Sequence, residues 1–98
     1  MKESLIEKTI CNYAKIKGWK DYKFTSPNNR AVPDRIFFKK GRCILIEFKA
    51  PGKDATRLQK KTLEEFSDNG FSTAIIDSIE EGKKFINFID KKYFGVFI

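Results

Sequence analysis

Ninety-eight residues, 41% apolar and 14% aromatic, describe one domain with a single modest core rather than a disordered chain. A net charge of +7 and a pI near 9.5 make a polyanion, nucleic acid first, the expected partner, although small basic proteins without one are common. The chain has no histidine. That excludes His-metal nucleases, Ser-His-Asp hydrolases, Cys/His zinc sites and a histidine general base, so any catalysis must run on carboxylates, lysine, tyrosine or a metal ion.

In chain order, residues 4–17 predict a helix. Leu5, Ile6, Thr9, Ile10, Tyr13, Ala14 and Ile16 recur at helical spacing and Gly18 stops the run. Ser4 with Glu7 fits a capping box, which would occupy Glu7; otherwise Glu7 projects from the first turn toward the site described below. The segment opens on charged residues with no apolar stretch of leader or membrane-spanning length, so a soluble, cytoplasmic protein is expected. Cys11 and Cys43 fall inside apolar patterns and read as buried free thiols rather than a disulfide or metal clip.

Residues 19–25 suit a short strand, and Ser26-Pro27-Asn28-Asn29-Arg30 is a loop. The stretch 32–50 then organises the chain. Ile36-Phe37-Phe38 is the core of one strand, Cys43-Ile44-Leu45-Ile46 that of the next, and Lys40-Gly41 is the turn between them. With a two- or four-residue loop, Lys39 faces Arg42 and, counting outward, Asp34 faces Glu47. Pro33, without an N–H, suits the start of the strand. Glu47 and Lys49 then share a face while Ile46 and Phe48 take the other, and two carboxylates lie roughly 5 Å apart beside an ammonium. A three-residue loop would put them on opposite faces. Like charges so placed need a counterion, and a hard divalent cation with oxygen ligands suits better than Lys49 alone. The competing reading is an ion network of Asp34, Arg35, Glu47 and Lys49 at a sheet edge.

After Pro51-Gly52, Thr56 is an N-cap for a helix through residue 68, with Leu58, Thr62, Leu63 and Phe66 inward and Asn69-Gly70 as its stop. Lys53, Arg57, Lys60 and Lys61 form a basic ridge at its start, suited to DNA phosphates or simply to water. Residues 71–77 predict a strand, with Ala74-Ile75-Ile76 buried on both faces and parallel to the strand before the helix. Ser78 opens a capping-box helix carrying Phe85, Ile86 and Ile89 inward to about Asp90. The apolar tail 93–98 is expected to pack as an edge strand or to meet another chain. Tyr13, Trp19 and Tyr22 could stack on bases, although their spacing equally suits a core.

The order is α-β-β-β-α-β-α plus tail, an α/β sandwich around a mixed sheet. Pro33-Asp34 followed by Glu47-Phe48-Lys49 resembles the PD-(D/E)xK nuclease superfamily. With Glu7, Val32, Ile46, Pro51-Gly52, Arg57-Leu58-Gln59 and Gly70, the pattern resembles its VRR-NUC (virus-type replication-repair nuclease) branch over most of the chain. The short motif is weakly specific, and the helix–strand order with Gln59 makes it stronger. The resemblance implies a restriction-endonuclease-like core and a Mg²⁺- or Mn²⁺-dependent endonuclease. It implies Asp34 and Glu47 as metal ligands, Lys49 as the catalytic lysine, and Gln59 and Glu7 as supporting site residues; the residues themselves add the Phe48 carbonyl to the ligands and Glu7 as a further candidate. It also implies a homodimer acting on branched DNA such as Holliday junctions, in a protein that a virus could encode. The chain has no room for the accessory DNA-binding domains of larger members. A catalytically silent nucleic-acid-binding module and an interaction protein dimerising through its tail are the alternatives.

Overall fold

The turn at Lys40-Gly41 sets the register of the sheet. Both residues have positive φ, 45° and 83°, the conformation of a two-residue hairpin turn whose twist matches its strands. The structure is a computed structural model and describes residues 1–95. Strand β2 (Arg35–Lys39) pairs antiparallel with β3 (Arg42–Phe48), Lys39 opposite Arg42 and Arg35 opposite Ile46. Strand β1 (Lys20–Lys23) flanks β2 antiparallel and β4 (Ser72–Ile76) flanks β3 in parallel, giving one mixed sheet in the order β1-β2-β3-β4.

Three helices cover the sheet: α1 (Glu3–Ile16), α2 (Arg57–Asp68) and α3 (Ile79–Phe94). One face buries Phe37, Ile44, Ile46 and Phe48 against Ile6, Ile10 and Ala14 of α1 and Ile86 and Ile89 of α3. Helix α3 closes tightly on α1 because its buried Gly82 has no Cβ; one there would meet Ile10 at 2.5 Å. The opposite face carries α2, whose Thr62 and Leu63 are buried. A buried Trp19 joins the layers by donating from Nε1 to Asp90 Oδ1 of α3 at 3.1 Å.

Several local expectations change. Helix α1 starts at Glu3 with Lys2 as an N-cap that offers no side-chain bond, so the Ser4–Glu7 capping box does not form and Glu7 is free to pair elsewhere. Strand β4 lies at the sheet edge, which leaves Ala74 and Ile75 half-buried rather than covered on both sides. Phe38 is 43% and Leu58 59% exposed, because α2 does not extend over all of its sheet face and turns Leu58 outward. Ser78 does accept from the Glu81 N–H at 3.1 Å, but its helix runs four residues past Asp90. Tyr93 and Phe94 are therefore helical rather than part of an edge strand, while residues 96–98 of the expected tail lie outside the described residues.

Candidate functional site

The hairpin register carries Asp34, one step before β2, to the position opposite Glu47 near the end of β3. Asp34 is fastened twice. Its main-chain oxygen accepts from the Phe24 N–H at 3.0 Å, and its Oδ2 accepts from the Phe48 N–H at 2.7 Å. Glu47 is only 3% exposed, and its Oε2 accepts from Gln59 Nε2 of α2 at 3.0 Å and lies 3.3 Å from Lys49 Nζ. Lys49 is itself held by its N–H, which donates to the Ile76 carbonyl of β4 at 2.9 Å. Gln59 is placed by the start of α2, where it forms a capping box with Thr56. Asp34, Glu47, Lys49 and Gln59 are thus brought together by the hairpin, the parallel crossover and one helix N-terminus.

The electrostatics are those of a site short of positive charge. Burial pushes the Asp34 carboxyl above its ordinary value; the Phe48 N–H offsets part of this, and the nearby Glu7 carboxylate adds to it. Burial likewise raises Glu47, with repulsion from Asp34 next in size and Lys49 acting against both. Among the described residues, hydrogen bonds to these two carboxylates all fall on Oδ2 and Oε2. Oδ1 of Asp34 and Oε1 of Glu47 accept no hydrogen bond among the described residues, so each carboxylate keeps one oxygen the protein does not use. Two adjacent carboxylates and a strand-end carbonyl at Phe48 make a donor set of hard oxygens that fits Mg²⁺ or Mn²⁺.

Glu7 is placed differently. Its Oε2 accepts from Arg35 Nε at 2.7 Å and lies 3.4 Å from Lys23 Nζ. Arg35 Nη1 also reaches Asp21 Oδ2 at 3.2 Å, below α1. Among the described residues no three acidic or cysteine side chains converge to hold a metal ion, so Glu7 is near Asp34 but does not join it and Glu47 in one ligating cluster. Arg35 is spent on this network, on the face opposite the paired carboxylates, and does not neutralise them. Asp21, whose buried Oδ1 accepts no hydrogen bond but lies 3.8 Å from Lys15 Nζ, was not among the residues singled out by sequence. Its charge sits next to a tyrosine in a loosely alternating segment and carries no spacing signal. Beside it, burial first and Asp21 second push the Cys11 thiol up to about 12, keeping it protonated and inert.

Lys53, Arg57 and Lys61 are exposed around the start of α2, as expected for a ridge. Lys60 is paired with Asp54 at 2.6 Å, the only one of the four in an ion pair among the described residues. Its side chain is half exposed, so that pair is easily broken by a phosphate.

No family model matches the chain. A curated relative, "Putative nuclease p44" of Acyrthosiphon pisum secondary endosymbiont phage 1, is 34% identical over 79 residues, spanning 80% of this chain and 85% of its own. Two solved structures share the fold at 19% identity. One, described as "VRR_NUC domain", superposes with a TM-score of 0.79 over 86% of this chain and 92% of its own. The other, "VRR_NUC domain protein", gives 0.78 over 93% and 89%. The sheet with its three helices is accordingly the restriction-endonuclease-like core. Given that relative, that fold and the Asp34, Glu47-Phe48-Lys49 motif at one site, the chain belongs to the VRR-NUC nuclease family.

Proposed function

We propose that this protein is a Mg²⁺- or Mn²⁺-dependent endonuclease that hydrolyses DNA phosphodiester bonds at the Asp34–Glu47–Lys49 site. The observation that carries the reading is the half-buried Asp34 set opposite the buried Glu47, each with one carboxylate oxygen bound by the protein. The nuclease named among its relatives supports the same chemistry. Asp34, Glu47 and the Phe48 carbonyl would hold the ion. When bound, the ion supplies Lewis-acid polarisation of a phosphate oxygen and lowers the pKa of a water.

The chain's own residues do the rest. Asp34 is immobilised by Phe48 and Glu47 by Gln59, so the ligand oxygens need little reorganisation. Lys49 stands beside Glu47 on the same face, where its ammonium orients the attacking water and offsets the negative charge that builds on the phosphorus oxygens. Lys53, Arg57, Lys60 and Lys61 bind flanking phosphates.

One chain carries one such site, and resolving a branched DNA takes two cuts. A two-fold homodimer acting on branched or otherwise structured DNA, four-way junctions included, is therefore the assembly and substrate class we favour. The test is incubation of the protein with four-way-junction, flap and linear duplex DNA in Mn²⁺ or EDTA, beside Asp34→Asn, Glu47→Gln and Lys49→Ala. Cutting should require Mn²⁺ and be lost in all three variants while DNA binding persists. Binding without any cutting by the wild type would leave a silent nucleic-acid-binding module instead.

A further inference from the structure

Strands β1 and β2 have one covered face and one open face. Asp21, Arg35, Phe37 and Lys39 point toward α1 and α3, as their bonds to Lys15, Glu7 and Asp90 and the burial of Phe37 show. Alternation turns Lys20, Tyr22, Ile36 and Phe38 to the other side, the side that carries Asp34 and Glu47. Helix α2 packs over β4, reaches β3 through Gln59 and Glu47, and covers Phe24 with Phe66 at 5.9 Å between ring centres. Beyond Phe24 that face is open.

Two aromatic rings stand on the open part. Tyr22 is 53% and Phe38 43% exposed, and their rings meet edge to face at 6.2 Å. The exposed Lys20 holds its ammonium 5.8 Å from the Tyr22 ring centre, and Lys40 is exposed at the hairpin turn. Asp34 is the only acid on this face of the two strands. Asp34, Ile36 and Phe38 are successive residues of that face, so the aromatic surface runs from about 7 to about 13 Å from Asp34 at roughly 3.3 Å per residue.

These features select a ligand. An apolar protein surface would meet the rings but not the lysines, whereas a nucleotide offers a π-face for the one and a phosphate for the other. Paired bases keep their faces inside the duplex; unpaired bases expose them and stack on aromatic side chains with little regard to sequence. We infer that Tyr22 and Phe38 form a stacking platform for unpaired nucleotides flanking the cut phosphodiester, with Lys20 on their phosphates. The inference rests on the nuclease reading and narrows its substrate class: DNA with a single-stranded segment next to the cleaved bond.

The test separates binding from cutting. A forked duplex carrying 2-aminopurine in its unpaired arm beside the branch is titrated with the protein in EDTA, alongside a blunt duplex. The wild type should quench the probe by stacking. Tyr22→Ala and Phe38→Ala, both at exposed positions and checked by their unfolding midpoints, should each lose quenching and bind the fork roughly tenfold more weakly. Affinity for the blunt duplex should be unchanged, and Tyr22→Phe should behave as wild type. Unchanged binding to the fork, equal weakening on fork and duplex, or a changed mass by sedimentation in the alanine variants would each overturn the platform; the last would assign the face to a second copy of the chain. Quenching without Mn²⁺-dependent cutting by the wild type would keep the platform and overturn the nuclease reading.

Discussion

Gln59 divides its carboxamide between Thr56 and Glu47. Its Oε1 accepts from the Thr56 N–H at 2.9 Å while its Nε2 donates to Glu47 Oε2 at 3.0 Å. One side chain therefore both starts α2 and holds the deepest carboxylate of the site. A change there should act on stability and on cutting by separable routes.

Gln59→Ala removes both bonds. Loss of half a capping box should lower the unfolding free energy by about 1 kcal/mol, and the loosened Glu47 should slow cutting about tenfold. Gln59→Glu keeps an acceptor for Thr56 and should recover stability at acid pH, where the new carboxyl is protonated, and lose it again toward neutral pH. It should not recover cutting, since it sets a carboxylate against Glu47 in place of a donor. Urea unfolding with single-turnover cleavage checks both halves; full activity in Gln59→Ala would remove Gln59 from the site.

Lys49 is the only cation paired with Glu47 among the described residues. Lys49→Met should slow cutting about a hundredfold, the usual loss when one donor to developing charge is removed. DNA affinity should stay within about threefold if, as proposed, the basic ridge at the start of α2 supplies most phosphate contacts. A large fall in affinity with an unaltered rate of the bound complex would make Lys49 a binding residue instead.

The hairpin was legible because its parity depends on a local signal, the Lys40-Gly41 turn, and that parity alone places Asp34 opposite Glu47. Caps were less secure. Thr56 has a glutamine three residues on and closes both halves of its capping box, whereas Ser4 lies inside a helix that begins at Glu3. Apolar spacing misplaced Phe38 and Leu58, since periodicity tells which residues share a face but not whether another element covers that face. The partners of Arg35 could not be read at all. Glu7 and Asp21 lie 28 and 14 residues away along the chain, and ion pairs between elements leave no pattern in sequence.

The raised Asp34 and Glu47 carboxyls give stability a pH dependence of known sign. Below the ordinary carboxyl range, near 4, both are protonated in folded and unfolded chains alike. As pH rises through that range the unfolded chain loses its protons first while the native site still holds them, so stability falls until the raised native value is passed. Asp34→Asn lacks this titration. Its advantage over wild type in EDTA should be small at pH 3.5 and grow to pH 7.5, by thermal unfolding of both. A wild type that gained on the variant with rising pH would show a carboxylate stabilised by its surroundings, contrary to the site described.

Divalent cation should reverse that penalty. Saturation at a hundred times the dissociation constant adds about 2.7 kcal/mol to a native state that alone binds the ion. Mn²⁺ should therefore raise the melting temperature of the wild type, more at pH 7.5 than at pH 5.5 because the ion competes with protons for the same oxygens. Asp34→Asn and Glu47→Gln should show little shift. Equal shifts in all three proteins would place the ion elsewhere.

At the other end of β2, Lys39 is the prediction about the fold rather than the site. Its ammonium lies 2.8 Å from Asp90 Oδ1 and 4.7 Å from the Phe94 ring centre, and Asp90 Oδ1 also receives the Trp19 N–H. The two side chains are 13% and 11% exposed, so the pair is nearly buried and each charge depends on the other. Lys39→Met leaves Asp90 with the indole alone and should cost about 3–5 kcal/mol, the range for stranding one member of a buried pair. Replacing both, Lys39→Met with Asp90→Leu, should recover much of that, because the stranded charge is gone and Trp19 loses only one hydrogen bond. Lys39 is five residues from Asp34, about 16 Å along the strand, so cutting per folded molecule should be unchanged in either variant. Chemical unfolding with cleavage normalised to the folded fraction distinguishes this from a lysine that serves the site, whose loss would lower the normalised rate.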